Sequence, residues 1–333
     1  MLQLGRFPRV RLAHLPTPLE PLTRLSERLG GPRLWIKRDD CTGLATGGNK
    51  TRKLEYLVAD ALAQGADTLI TVGALQSNHA RQTAAAATRL GLKCVLVLEE
   101  RQTQPTEVYR HNGNLLLDRL LGATLKRVPR DTPLVDAAER AAEEVRRAGG
   151  RPYVMPAGGS TPVGALGYVG CALELLQQAN DQGLRIDHVV HATGSSGTQA
   201  GLLAGFEGAR SGVKVLGVTV GRPKASQEHN VAQLLDRTWA HLGLAGEAPH
   251  DAVAADDSYV GEAYGVPTPG MIEAVRLLAE TEGVLLDPVY SGKAMAGLID
   301  LVRRGRFGRD ETVVFIHTGG QAGLFAYEPV FAA

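Results

Sequence analysis

The sequence predicts an α/β fold with two domains, each a parallel-rich twisted sheet flanked by helices. Three observations predict it. Short β-rich apolar runs alternate with helical patterns along almost all of the 333 residues, the mark of right-handed β-α-β crossovers and parallel sheets. The runs outnumber the strands that one compact sheet usually holds. No repeat, low-complexity tract or long linker interrupts them, so the connections are short and a cleft should lie between two blocks.

In chain order, RLWIKRD from Arg33 reads as a strand. After Lys50, apolar residues recur at Leu54, Leu57, Val58, Ala61 and Leu62, one face of a helix. TLITVG from Thr68 is a strand, SNHARQTAAAATRLG from Ser77 a helix, and KCVLVLEE from Lys93 a strand. TLKRVP from Thr124 is a strand, DAAERAAEEVRRAG from Asp136 a helix, and RPYVMP from Arg151 a strand. Then come GYVGCALELLQQANDQG from Gly167 (helix), HVVHATG from His188 (strand), SGTQAGLLAGFEGAR from Ser196 (helix) and VKVLGVTV from Val213 (strand). MIEAVRLLAETEG from Met271 and GKAMAGLIDLVRRG from Gly292 are helices, and TVVFIHTGG from Thr312 closes the series as a strand. Several helices end in glycine after a basic last turn, a good stop signal. Residues 54–160 make a self-contained block and read as a smaller α/β domain; 1–53 plus 161–333 read as the larger one. In such folds ligands sit where strand ends lead into helices, which puts TGGNK, GALQSNH, ATGSSGTQAG and HTGGQAG on the functional side.

Composition narrows the function classes. Hydrophobic residues are 44% and charged residues 21%, as in ordinary globular proteins. The net charge of +1 argues against nucleic acid as a partner. No apolar run reaches the ~20 residues of a membrane span, and the basic start MLQLGRFPRVRL lacks the apolar stretch of a signal peptide. The expectation is a cytoplasmic protein with no membrane partner. The three cysteines (Cys41, Cys94, Cys171) lie far apart, without C-x-x-C spacing; this fits a reducing compartment and no metal site.

GGNKTRKLEY, from Gly47 to Tyr56, poses an electrostatic question. Lys50, Arg52 and Lys53 crowd a helix start, where the backbone is already positive. A lysine there has its charged form disfavoured, and a neutral lysine can form a Schiff base with a carbonyl. Lys53, one turn on, could hold an anion such as a phosphate. Carbonyl and phosphate on one molecule describe pyridoxal 5′-phosphate; a solvated basic patch is the other reading. HATGSSGTQAG, from His191, brings Gly194, Ser195, Ser196, Gly197 and Thr198 to a strand-to-helix turn, a set suited to cradling a phosphate. No Gly-Lys-Ser/Thr follows, so this is not a Walker loop. In GALQSNHARQ, Ser77, Asn78 and His79 are short donors at a helix start, where a carboxylate would fit. Tyr264 sits in a Gly/Pro-rich loop, and Tyr290 and Ser291 stand between a strand-like run and a helix.

GGNKTRKLEYL, GALQSNHARQ, ATGSSGTQAG, EGVLLDPVYSGKAMAGL and FIHTGG, in this order, resemble the fold-type II (tryptophan synthase β-like) pyridoxal-phosphate enzymes. Within them the chain resembles the branch of 1-aminocyclopropane-1-carboxylate deaminase and D-cysteine desulfhydrase. RFPRVRLAHLPTPLEPL and IKRDDCTGLATGGNKTRK look most similar to the L-cysteate sulfo-lyases of that branch. The resemblance spans nearly the whole chain and implies pyridoxal 5′-phosphate as cofactor, a small amino acid as substrate and a homodimer. It implies Lys50 as the residue that carries the cofactor, with Lys53 and Gly194–Thr198 on the phosphate. Asn78 would meet the pyridine 3′-oxygen, and Ser291 or Thr318 the pyridine nitrogen. Ser77, Asn78 and His79 would grip the substrate carboxylate, and Tyr264 and Tyr290 would line the substrate side. Lys50, Ser77 and Tyr290 are the candidate catalytic residues.

One departure bears on the chemistry. The cyclopropane deaminases resembled here carry a glutamate after the DPVY tyrosine, where this chain has Ser291. A hydroxyl leaves the ring nitrogen largely neutral, so the ring is a weaker electron sink. β-Elimination of a sulfur group needs less stabilisation than cyclopropane opening. The expectation is therefore a carbon–sulfur lyase acting on L-cysteate, with D-cysteine as the alternative. Arg222 and Lys224 either serve a sulfonate or form a solvated surface pair. An NADP-dependent reductase built on the 194–201 loop and Arg222 would give the lysines no role. A non-catalytic amino-acid binder would keep its affinity without Lys50.

Overall fold

The computed structural model describes residues 2–102 and 105–332. Ten strands form two sheets: β1 Leu19–Pro21, β2 Arg33–Arg38, β3 Thr68–Ala74, β4 Lys93–Glu99, β5 Thr124–Val128, β6 Pro152–Met155, β7 His188–Thr193, β8 Lys214–Thr219, β9 Ala254–Asp256 and β10 Thr312–His317. The helices are α1 Thr23–Leu29, α2 Asn49–Ala63, α3 Asn78–Arg89, α4 Glu107–His111, α5 Asn114–Leu120, α6 Leu134–Arg147, α7 Pro162–Asp181, α8 Gly197–Gly208, α9 Lys224–His241, α10 Pro269–Glu282, α11 Ser291–Arg303, α12 Ala322–Ala326 and α13 Glu328–Phe331. One sheet has the order β1-β2-β10-β7-β8-β9 and the other β5-β4-β3-β6. Only β1 runs antiparallel to its neighbour; every other pairing is parallel.

Parallel strands bury both faces, so alternate side chains feed opposite cores. Val189, Val215, Val314 and Ile316 pack with α7 and α8, whereas Val190, Val218, Val313 and Phe315 pack with α10 and α11. In the smaller sheet Leu69, Leu96 and Leu98 meet α2 and α3, and Ile70, Val72, Val95 and Val97 meet α6. All eight anticipated strands form. The two additional strands, β1 and β9, are three residues each, too short to show a period. Helix α9 was not anticipated: its buried face is Gln227, Val231, Leu234, Leu235 and Thr238, two of them polar, so its apolar stripe is weak. Among the described residues no helix is long and apolar enough to cross a membrane.

The basic run after Gly48 is resolved by burial and pairing. Gly48 caps α2 at φ 130°, a conformation open to glycine. Arg52, fully buried, grips both oxygens of Asp39 at 2.9 and 2.8 Å and both oxygens of Glu174 at 3.0 and 2.9 Å. It is a structural clamp between α2, the segment after β2 and α7, which leaves the two lysines as the residues needing another explanation.

Candidate active site

The start of α2 and the ends of β3, β7 and β10 open on one cavity of about 340 Å³ between the sheets. Asn49 and Lys50 at the start of α2, Gly73–Ala74 with Ser77–His79 after β3, Ala192–Ser196 with Thr198 after β7, and Thr318 after β10 all line it. The remaining wall comes from Arg101, Arg222, Tyr264, Tyr290 and small residues, and none of the lining residues is a carboxylate.

Lys50 Nζ donates to Asn49 Oδ1 at 2.9 Å, and Asn49 Nδ2 donates to Thr198 Oγ1 at 3.0 Å. Asn49 therefore ties the lysine to the start of α8. Burial brings the Lys50 amine down to about 8; Asp287 opposes the shift and the Arg81 charge assists it. Desolvation, more than the helix terminus itself, is the main cause.

Lys53 lies behind the cavity wall, 0% exposed, and its one hydrogen bond among the described residues is to the Gly158 carbonyl at 3.1 Å. A Cβ on Gly197 would stand 2.9 Å from Nζ, so the amine abuts the first turn of α8. Burial, then Lys50, pushes its pKa well below the ordinary value. A buried amine without a carboxylate is costly unless an anion joins it. The cradle around it is tight. Gly158 has φ +70°, and a Cβ there would fall 2.1 Å from Ser195 Oγ. Ser160 Oγ donates to Ser195 Oγ at 2.9 Å and accepts from the Gly197 amide at 3.1 Å. Ser196 takes φ 74° and turns its hydroxyl toward Gln227 Nε2 at 3.3 Å.

Ser77 caps α3, accepting from the Ala80 amide at 3.1 Å, and its own hydroxyl hydrogen is left for the cavity. His79 lines the same wall. Thr71 Oγ1 lies 2.9 Å from His79 Nε2 and 3.1 Å from the Met155 carbonyl, so its one proton serves one of the two. Burial and the two lysines hold the imidazole neutral.

Tyr264 and Tyr290 share a hydroxyl–hydroxyl hydrogen bond of 2.6 Å with rings edge to face. Burial raises both phenols, that of Tyr290 well above its usual range. The Arg101 guanidinium lies 5.2 Å from the Tyr264 ring centre and its Nε donates to Glu99 at 2.6 Å. Arg101, Asn49 and Ser160 escaped sequence reasoning; the available signal for Arg101 was a cation directly beyond the KCVLVLEE strand.

Of the two hydroxyls expected at the ring nitrogen, only Thr318 lines the cavity. Ser291 is fully buried and committed to Asp287: its Oγ donates to Oδ1 at 2.6 Å and accepts from the Asp287 amide at 2.8 Å. Asp287 also receives the amides of Val289, Tyr290 and Ser291, so this pair caps α11. Arg222 reaches the cavity rim and donates to the Gly194 carbonyl. Lys224 does not line the cavity; it starts α9, its amide donating to Asp257 and its amine 3.8 Å from Glu228.

Residues 10–319 match the family described as "Pyridoxal-phosphate dependent enzyme". D-cysteine desulfhydrases of Salmonella typhi and Salmonella newport are each 50% identical to the chain over 326 residues, 98% of both partners. A crystal structure of an "ACC deaminase homologue" superposes with TM-score 0.89 at 40% identity, covering 99% of this chain and 97% of the other. The diaminopropionate ammonia lyase of Escherichia coli, at 18% identity and TM-score 0.66 over 96% of this chain and 86% of its own, shares the fold.

Proposed function

The chain belongs to the pyridoxal-phosphate-dependent enzyme family, and from that premise we propose that it eliminates sulfide from D-cysteine, yielding pyruvate, hydrogen sulfide and ammonia. One observation carries the choice of substrate: 50% identity to D-cysteine desulfhydrases over 98% of both chains. It favours D-cysteine over the L-cysteate first expected from the opening segments. The cavity agrees with a carbon–sulfur lyase, since Thr318 could offer a neutral hydroxyl to a ring nitrogen and no carboxylate lines the wall.

The residues fit pyridoxal 5′-phosphate. The buried Lys53 amine, the α8 amides and the Ser195 hydroxyl form a cradle for a phosphate, which would supply the anion that Lys53 lacks. Lys50 is the amine for the carbonyl carbon, and Asn78 offers an amide to the ring oxygen. When bound, the cofactor supplies the electron sink that makes Cα–H acidic and lets sulfur depart.

The protein does the rest. Ser77 Oγ and the first amides of α3 hold the substrate carboxylate beside the helix N-terminus. Lys50 Nζ, with its lowered pKa, takes the Cα proton. The C–S bond breaks with its electron pair on sulfur. Tyr290, held by Tyr264 at 2.6 Å, donates a hydrogen bond to that sulfur, which leaves as hydrosulfide and takes its second proton from water. The released enamine hydrolyses in water to pyruvate and ammonia.

A second reading, L-cysteate with sulfite as product, is favoured by two cations on the rim, Arg101 and Arg222. A product assay decides: the holoenzyme is given D-cysteine, L-cysteine and L-cysteate, and sulfide, sulfite and pyruvate are measured. Sulfide and pyruvate in equal amounts from D-cysteine are expected. Sulfite from L-cysteate without sulfide from D-cysteine would overturn the first reading in favour of the second.

A further inference from the structure

Behind the α3 wall lies a polar chain that the steps above do not use. Arg81 in α3 is fully buried. Its Nη2 donates to the Gly47 carbonyl at 2.6 Å, and its Nη1 donates to Asn114 Oδ1 at 2.9 Å and, more weakly, toward Asn78 Oδ1 at 3.4 Å. Asn114, the first residue of α5, passes the chain on. Its Nδ2 donates to Asn78 Oδ1 at 2.9 Å and to the Gln76 carbonyl at 3.2 Å, while its backbone amide is fixed by Gln76 Oε1 at 2.9 Å.

A side-chain amide has two orientations of nearly equal shape, one offering nitrogen and the other oxygen. Arg81 removes the choice, because a guanidinium only donates. Asn114 must turn its oxygen to Arg81 and therefore its nitrogen to Asn78. Asn78 must then turn its oxygen inward. Its Nδ2, which donates to no described residue, is left on the side of the cavity that Asn78 lines. The three acceptors that Arg81 hydrogen-bonds are neutral, Asp118 and Asp287 acting on its charge without a hydrogen bond to it, and a chain of polarised amides strengthens the donor at its end. The same guanidinium holds the carbonyl of Gly47, three residues before Lys50.

We infer that Arg81 and Asn114 are positioning residues that lock the Asn78 amide as a hydrogen-bond donor toward an anionic oxygen in the cavity. The inference rests on the function proposed above, in which that oxygen belongs to the cofactor ring. Donor at Asn78 and amine at Lys50 are thereby set by one buried cation.

The test is Asn114→Asp, which keeps the size of the residue and the acceptor for Arg81 but replaces the donor facing Asn78 with an acceptor. Asn78 must then flip and present its oxygen to the cavity. Two readouts apply: the dissociation constant of pyridoxal 5′-phosphate from the apoprotein, and the pH titration of the visible band of the loaded enzyme. A loss of affinity of about tenfold or more is expected, since a charge-polarised donor becomes a repelling acceptor. A shift of the band's titration midpoint by roughly half a unit or more is also expected. Asn78→Ala should produce both effects alone, and Asn114→Asp should add less than about twofold in its background. If Asn78→Ala changes neither readout, the reading of Asn78 fails and the premise with it. If Asn78→Ala changes both while folded Asn114→Asp matches the native protein, the positioning role is overturned. Should circular dichroism show Asn114→Asp unfolded, Arg81→Lys takes its place: the charge stays, the fork of donors is lost, and native affinity and native titration there also overturn the inference.

Discussion

Replacing Lys53 by methionine separates the two environments that this amine meets. In the apoprotein its only hydrogen bond among the described residues is to the Gly158 carbonyl at 3.1 Å, and it sits fully buried against the α8 terminus with its charge disfavoured. Lys53→Met forfeits about 1 kcal/mol for that bond and gains apolar burial of the same order. Apoprotein stability should move by no more than about 1 kcal/mol, against the 2–5 kcal/mol typical of a large buried truncation. Phosphate binding should respond differently. An ammonium–phosphate hydrogen bond is worth about 1.5–3 kcal/mol, equivalent to roughly a tenfold to a hundredfold weaker Kd. The assay pairs urea unfolding of the apoprotein with titration by pyridoxine 5′-phosphate, which has the phosphate but no carbonyl and so leaves Lys50 out. Binding should also take up a proton, because phosphate restores the charge that burial suppressed; the affinity of the native protein should fall as pH rises, and that slope should vanish in the variant. A native Kd in Lys53→Met, or a loss of apoprotein stability beyond about 3 kcal/mol, would refute the assignment.

Three further outcomes are expected. With the Lys50 amine at about 8, roughly a tenth of it is neutral at pH 7, against roughly one part in three thousand for an unperturbed lysine; stopped-flow absorbance of cofactor attachment should accelerate through a midpoint near 8, and a midpoint above 10 contradicts the buried environment. Tyr290→Phe should lower kcat by about 10²–10³ through loss of the hydrogen bond to the charge developing on sulfur, with Tyr264→Phe milder because it only orients; equal kcat values for Tyr290→Phe and the native protein rule out that role. Asp118, fully buried with both carboxylate oxygens unpartnered, is pushed up to about 8 by burial, with Arg81 opposing. Its folded value exceeds its unfolded one, so the stability it contributes is complete below about pH 4 and is lost as pH rises through 8; Asp118→Asn should remove that slope and gain a few kcal/mol over the native protein by pH 8.5, and parallel pH–stability curves would argue against it.

The sequence by itself determined the alternating α/β architecture, the four loops that close on the cavity, and the two lysines that need separate partners. These are local properties. A strand end, a glycine turn and a helix start are set by neighbours within a few residues, and parallel crossovers then gather such ends on one side. Tertiary structure decided the direction of each side chain and the identity of its distant partner. Ser291 looks like Thr318 as a residue type, yet Asp287, four positions earlier, claims its hydroxyl, whereas Thr318 stays on the cavity wall. Arg52 stands between two site lysines in sequence, but Glu174, 122 residues away, makes it a clamp. Arg81 meets Asn114 because α5 brings it there. The physical reason is common to all of these. A hydrogen-bonding group can be spent once, and which partner reaches it first depends on the packing of segments that are far apart along the chain.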